Sequence, residues 1–374
     1  MSEADLARLL DLLVTRFDEV VGPVVADGTI RLRPITSIAD LPTGVTDEQE
    51  VGHYRLHRSG GRAHFSYGVG PDSPKAIVHP PRTPVWTMRR RDGTLVTELA
   101  APPTVTRALV GVKACDLRGM AVLARTQTGG PYVDPWDAAA QEQLFTVTVD
   151  CTTPAPTCLC GAGSGPAALD GVDEFDVALT ELEDAFGVRY VARCGSDRGQ
   201  AVLEELGLHT AHPSVVREAD QALRRAEQSL IREMPADAAE VVRRADHPRW
   251  DEVAERCLAC GNCTAVCPTC FCTDVEDRIE LDGETSVRTR VWDTCFSREY
   301  SHLGSGPHRS STRSRYRQWL THKLGTWHDQ FGESGCVGCG RCITWCPVGI
   351  DLTAEVEALG FDHDREVIAP EVVA

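Results

Sequence analysis

The run Cys257-Leu-Ala-Cys260-Gly-Asn-Cys263-Thr-Ala-Val-Cys267-Pro268 returns as Cys336-Val-Gly-Cys339-Gly-Arg-Cys342-Ile-Thr-Trp-Cys346-Pro347. In each, three cysteines are spaced by two residues, a fourth follows after three more, and proline closes the run. That spacing suits [4Fe–4S] cubanes, because three thiolates on one tight loop hold three corners of a cluster. The fourth cysteine is expected to start a helix pointing away from its own loop, so that it ligates the other motif's cluster. The predicted sets are therefore Cys257, Cys260, Cys263 and Cys346 on one cluster, and Cys336, Cys339, Cys342 and Cys267 on the other.

Zinc ribbons and disulfides explain this pattern less well. A structural zinc site wants two pairs of ligands, not two tandem runs of four that each end in proline. Disulfides belong to oxidising compartments and small secreted domains. The chain has 374 residues and 16 cysteines, and its first residues show no basic region followed by an apolar stretch. No signal peptide is expected, and thiol or metal chemistry in a reducing cytoplasm is the better prior. No apolar run approaches the ~20 residues of a membrane helix. The net charge of −17 argues against a nucleic-acid partner, since phosphate contact needs a basic face.

Outward from the two runs, the composition leaves room for two or three domains. Residues 4–21 place Leu6, Leu9, Leu10, Leu13, Phe17 and Val20 on one helical stripe. Val51 to Val96 reads as irregular β structure, with Ala76-Ile-Val-His79 a strand-like piece. Apolar runs at 108–113, 144–149, 175–179 and 188–192 alternate with helical stretches, including Leu117 to Arg125. Such alternation predicts a mixed, partly parallel sheet. The fold class expected is α+β and multidomain. An N-terminal α/β domain spans 1–212, a helical connector 213–254, and a dicluster ferredoxin-like helical domain 255–360 with an insert at 273–335. Residues 361–374 read as a mobile tail.

Eight cysteines lie outside the two runs. Cys115 and Cys151 each follow a predicted strand, at the sheet edge where open α/β folds place ligands. Cys158 and Cys160 come soon after, then Gly161-Ala-Gly163-Ser-Gly165. These four thiols are candidates for a third iron–sulfur cluster, with zinc or no metal as the alternatives. Cys270, Cys272 and Cys295 are candidates for packing near the clusters, for supplying a ligand, or for ligating a further centre. Cys194 reads as a bystander. The glycines at 161–165 lack the spacing of a dinucleotide fingerprint and read as a turn. The basic stretch Arg309, Arg313, Arg315, Arg317 and Lys323 is either a solvated face or a source of cations beside negative clusters. His302, His308, His322 and His328 lack chelating spacing and are not taken as ligands.

Taken in order, Cys115-Asp116, Asp150-Cys151, Cys158-x-Cys160, CLACGNCTAVCPTCFC from Cys257 to Cys272, Trp292-Asp-Thr-Cys295 and CVGCGRCITWCP form a more specific pattern. It resembles the β subunit of cytosolic sulfhydrogenases, which are NAD(P)-linked [NiFe] hydrogenases, and is similar also to the dicluster iron–sulfur subunit of anaerobic sulfite reductase. The resemblance covers roughly 106–350, with a departure at Gly304-Ser-Gly306-Pro307-His308. It implies an electron-transfer subunit of a cytoplasmic complex. The implied partners are a flavin- and NAD(P)-binding reductase subunit, with either hydrogenase or sulfite reductase subunits. Two other readings compete. One is a flavin-binding redox enzyme that uses the N-terminal domain; the other is a non-redox zinc or nucleic-acid module.

Overall fold

The computed structural model describes residues 1–160 and 175–361. The glycine turn expected at 161–165 and nearly all of the expected tail lie outside them. Strands β1 (Glu19–Ala26) and β2 (Thr29–Pro34), β3 (Val45–Glu50) and β4 (His53–Arg58), and β5 (Arg82–Arg91) and β6 (Thr94–Leu99) form three successive hairpins. Then come β7 (Arg107–Val112) and β8 (Leu144–Val149), the hairpin of β9 (Val177–Asp184) and β10 (Gly187–Cys194), and that of β11 (Thr273–Ile279) and β12 (Thr285–Trp292).

The main sheet has the order β10-β9-β8-β7-β1-β2. Its centre is parallel, from β1 through β7 and β8 to β9, and an antiparallel hairpin closes each edge. Every residue of β8 is buried, as a continuous apolar run in a parallel strand covered on both faces should be. One cover is the helix Glu3–Arg16, whose Leu6, Leu9, Leu10 and Leu13 are fully buried. Ser2 and Asp5 close a reciprocal cap at its start, satisfying backbone donors that the first turn leaves free. The helix is shorter than its apolar stripe suggested. Phe17 is extended, and Val20 belongs to β1.

Two local expectations are corrected. Ala76 to His79 is not a strand, because Lys75–Val78 forms one helical turn in which the Pro74 carbonyl accepts from the Ile77 and Val78 amides. The segment 51–96 is irregular over 59–74, as expected, but it also supplies the whole of β4 and β5 and the start of β6. In addition, β5 pairs with β12, giving a four-stranded antiparallel sheet in the order β11-β12-β5-β6. The insert between the two cysteine runs is thus hydrogen-bonded to the N-terminal third of the chain.

A second core surrounds the cysteine runs and includes Trp250, Val253, Phe296, Tyr316, Trp319 and Leu320, with Ile343 and Val356. The connector begins with the helix Pro213–Gln228, which buries Ala219, Ala222, Leu223 and Ala226. After Pro347 the helix Leu352–Gly360 closes the described chain. Among the described residues no helix is long and apolar enough to cross a membrane.

Candidate iron–sulfur centres

Each cysteine run wraps through left-handed backbone. Gly261 and Gly340 have φ of 74°, Gly338 has 69°, and Ala259 takes 50° without the freedom of glycine. This curvature turns main-chain donors inward, and the Ala259 amide donates to the Cys257 sulfur at 3.4 Å. The fourth cysteine does not start a helix, contrary to expectation. One-turn helices, Asn262–Ala265 and Arg341–Thr344, contain the third cysteine of each run and end before the fourth, carrying Cys267 and Cys346 away from their own loops.

The result is an exchange of thiols between the runs. Cys346 lines one apolar cavity together with Cys257, Cys260 and Cys263, and Cys342 of the second run borders it as well. Cys267 neighbours Cys336, Cys339 and Cys342. Cys260 and the adjacent Leu258 are exposed, so the first of these groups reaches the surface. Among the described residues no three His, Cys, Asp or Glu side chains close around a single-ion point.

Charge around the second group is specific. The Lys323 ammonium is buried, 3.3 Å from the Cys267 sulfur, 2.9 Å from the Thr269 hydroxyl and 3.1 Å from the Gly335 carbonyl. Burial disfavours that charge, but Cys267 and its neighbouring thiols hold the Lys323 pKa well above the ordinary lysine value. Lys75 is also buried, donating to the Thr264 carbonyl at 3.0 Å and standing 4.1 Å from the Trp292 ring centre. Burial pushes its pKa down, and the Cys270 and Cys267 thiols oppose the shift. Of the basic stretch, Lys323 reaches a thiol, whereas Arg315 bonds the Arg309 and Ser310 carbonyls and Arg313 and Arg317 bond Ala245.

The upstream cysteines gather at the carboxyl edge of the parallel strands. Cys115 is the second residue of the helix Ala114–Gln127 after β7, and Cys151 follows two residues after β8. Cys158 neighbours Cys151 and Cys160, while Cys115 neighbours Cys160 and Cys339. Burial pushes the Cys160 thiol up to about 12 and the Cys339 thiol up to about 11. Convergent buried thiols become ligands only as thiolates, which a bound metal core favours by its positive charge. In that respect the donor sets fit iron–sulfur clusters.

Backbone contact joins this upstream loop to the second run. The Leu159 amide donates to the Gly338 carbonyl at 2.9 Å. A Cβ on Gly338 would lie 2.6 Å from the Leu159 carbonyl oxygen, and one on Gly340 would lie 2.5 Å from that of Thr157. Cys158 and Cys339 approach through a sulfur–carbonyl contact of 3.9 Å. A buried ion pair of 2.8 Å between Arg341 and Asp116 ties the same run to the helix Ala114–Gln127, which carries Cys115.

The remaining thiols divide. Cys270 neighbours Cys267, and Cys272 neighbours Cys295. Cys270, Cys272 and Cys295 line a cavity of about 630 Å³. Cys194 is exposed at the end of β10. His322 faces the same cavity as Cys272, while His302 pairs with Glu299 at 2.8 Å. Lys75 and Arg341 were not singled out from sequence. Single basic residues carry no period or spacing, although Arg341 does sit inside the second cysteine run.

Comparison with known proteins agrees with this geometry. The family model described as a 4Fe-4S dicluster domain matches residues 256–350, and the chain carries two [4Fe–4S] clusters there. The chain is 30% identical over 336 residues to sulfhydrogenase 2 subunit beta of Pyrococcus furiosus, covering 89% of each protein. No solved structure matches it. The paired cysteine runs, the upstream thiols and this relative lead to one conclusion: the chain belongs to the sulfhydrogenase β-subunit family.

Proposed function

We infer that this iron–sulfur electron-transfer subunit passes electrons along a line of centres. Cys257, Cys260, Cys263 and Cys346 hold the cluster nearer the surface. Cys336, Cys339, Cys342 and Cys267 hold the inner one. Cys115, Cys151, Cys158 and Cys160 hold a third, beyond Cys339. The observation that carries this reading is the exchange of Cys267 and Cys346 between the two runs, with the upstream thiols packed against Cys339. In the cell the subunit works in the cytoplasm with hydrogenase subunits and a flavin-containing partner that exchanges electrons with NAD(P).

Anaerobic iron and sulfide analysis tests the ligand assignment. Two cubanes give about 8 iron atoms per chain and three give about 12. Replacing Cys158 and Cys160 together with Ser should then remove about 4 irons. Zinc in place of iron would refute the relay. Unchanged iron in the well-folded double variant would remove the third centre alone. Co-purification with the native partners tests the assembly, which requires a flavin-bearing chain in the complex.

A further inference from the structure

Strand β6 is an open edge of the four-stranded sheet; among the described residues it pairs with β5 alone. All of its residues are exposed, Leu99 at 79%. The two edges of this sheet are built differently. Strand β11 carries Asp274, Glu276, Asp277 and Arg278, and charges along an edge discourage another chain from pairing with it. Strand β6 reads Thr94-Leu-Val-Thr-Glu-Leu99, with no lysine or proline. Its one charge, Glu98, lies 3.5 Å from both Arg89 and Arg91 of β5. The hairpin also fixes which backbone groups are free. Asp92 and Gly93 have φ of 51° and 75°, as a two-residue type I′ turn requires. Arg91 and Thr94 then exchange hydrogen bonds, and the alternation of an antiparallel ladder repeats this at Val96 and Glu98. The Ala100 amide continues it, donating to the Val85 carbonyl at 3.0 Å. The N–H and C=O groups of Leu95, Thr97 and Leu99 therefore point out from the sheet, and their side chains share one face.

We propose that β6 pairs antiparallel with β6 of a second copy of this chain, joining the two four-stranded sheets into one continuous sheet. The two-fold axis passes beside Thr97. In that register Thr97 meets its own counterpart, Leu95 meets Leu99, and Val96 meets Glu98, so no like charges stand directly opposite. About six backbone hydrogen bonds form across the edge. The two Glu98 carboxylates lie on a diagonal, each already held by two arginines. Within 82–99 four arginines stand against Asp92 and Glu98, so this edge lies outside the acid excess behind the net charge of −17. The edge is complementary to itself, which is what singles out a second copy as its occupant. One strand of 6 residues is a small contact beside the ~1,200 Å² of a stable interface, so the dimer forms and dissociates with concentration. The pairing needs no cluster and stands apart from the relay reading.

The test uses the full chain, isolated anaerobically with its clusters and without partner chains. Sedimentation equilibrium over a wide concentration range should follow a monomer–dimer equilibrium. Hydrogen exchange at the high end should slow at Leu95, Thr97 and Leu99 and stay unchanged along β11. Thr97→Pro deletes the central outward N–H, at a place where an edge strand accepts proline. It should weaken association by about tenfold, the worth of the two central hydrogen bonds. Leu95→Lys sets a charge against Leu99 of the second copy and should weaken association without touching the backbone. Ile279→Lys, on β11, should leave association unchanged. A single species of monomer mass at every concentration overturns the proposal with no variant needed. So does an association that Ile279→Lys abolishes and Thr97→Pro and Leu95→Lys leave intact, because contact would then run through the other edge. Protection of β6 that arises only when the native partner chains are added also overturns it, since a different subunit would then be the occupant.

Discussion

The ammonium nitrogen of Lys323 lies 3.3 Å from the sulfur of Cys267, with both residues buried. A positive charge so close to a cluster ligand stabilises the more negative, reduced state and raises the midpoint potential. Lys323→Met removes the charge while keeping much of the side chain's length. A charge-assisted hydrogen bond contributes roughly 1.5–3 kcal/mol, and one electron converts 1.4 kcal/mol to about 59 mV. Only the difference between oxidation states counts, so a fall of up to about 100 mV is expected for one cluster. Potentiometric titration followed by electron paramagnetic resonance measures it. Two unmoved potentials would show that Lys323 serves packing alone.

Gly338 offers a test of how the upstream loop is held. Its φ is +69°, and a Cβ there would meet the Leu159 carbonyl oxygen at 2.6 Å. Gly283 has nearly the same φ, +70°, but nothing within 4 Å of its Cβ position. Alanine at Gly283 should therefore cost only the left-handed backbone penalty, about 1–2 kcal/mol. Alanine at Gly338 should cost distinctly more and displace the Cys158–Cys160 loop. Comparing denaturation midpoints of the two variants isolates the steric part, and equal losses would show that the loop yields freely.

The buried pair of Arg341 and Asp116 gives a third expectation. Arg341 also donates to the Gly70 carbonyl at 2.8 Å and the Asp72 carbonyl at 3.0 Å. Removing one member of a buried pair typically costs about 3–5 kcal/mol, because the other charge is stranded. Arg341→Met should fall in that range, and adding Asp116→Asn should recover part of the loss. Denaturation of the two singles and the double, treated as a cycle, measures the coupling. Strictly additive losses would show that the pair does not act as a unit.

These residues also show what a sequence can carry. The two cysteine runs were legible because cubane ligation demands fixed spacing. The strands at 107–112 and 144–149 were legible because burial on both faces makes them continuously apolar. Lys323 was visible only as one member of a basic stretch, since its partner Cys267 is distant in sequence. The pairing of β5 with β12 escaped for the same reason, as nothing local to Arg82–Arg91 points to Thr285–Trp292. Ala76 to His79 misled because one helical turn and one short strand share an apolar run, and only Pro74 hints at the difference.

Removing iron should unfold the two halves unequally. The second core packs directly on Cys257, Cys263, Cys336, Cys342 and Cys346, so its apolar side chains close around the metal centres. Without metal, those buried thiols lose the charge that balances them and the cavities lose their filling. The core of the main sheet instead rests on Leu6, Leu9, Leu10, Leu13 and the apolar residues of β7 to β10, with no ferredoxin-run cysteine among them. Anaerobic chelation followed by hydrogen exchange should therefore show early loss of protection in 312–321, 341–344 and 352–360. Amides of β7 and β8 should stay protected until global unfolding. Simultaneous loss of protection in both regions would show that the four-stranded sheet joining them, through β5 and β12, couples the two cores into one cooperative unit.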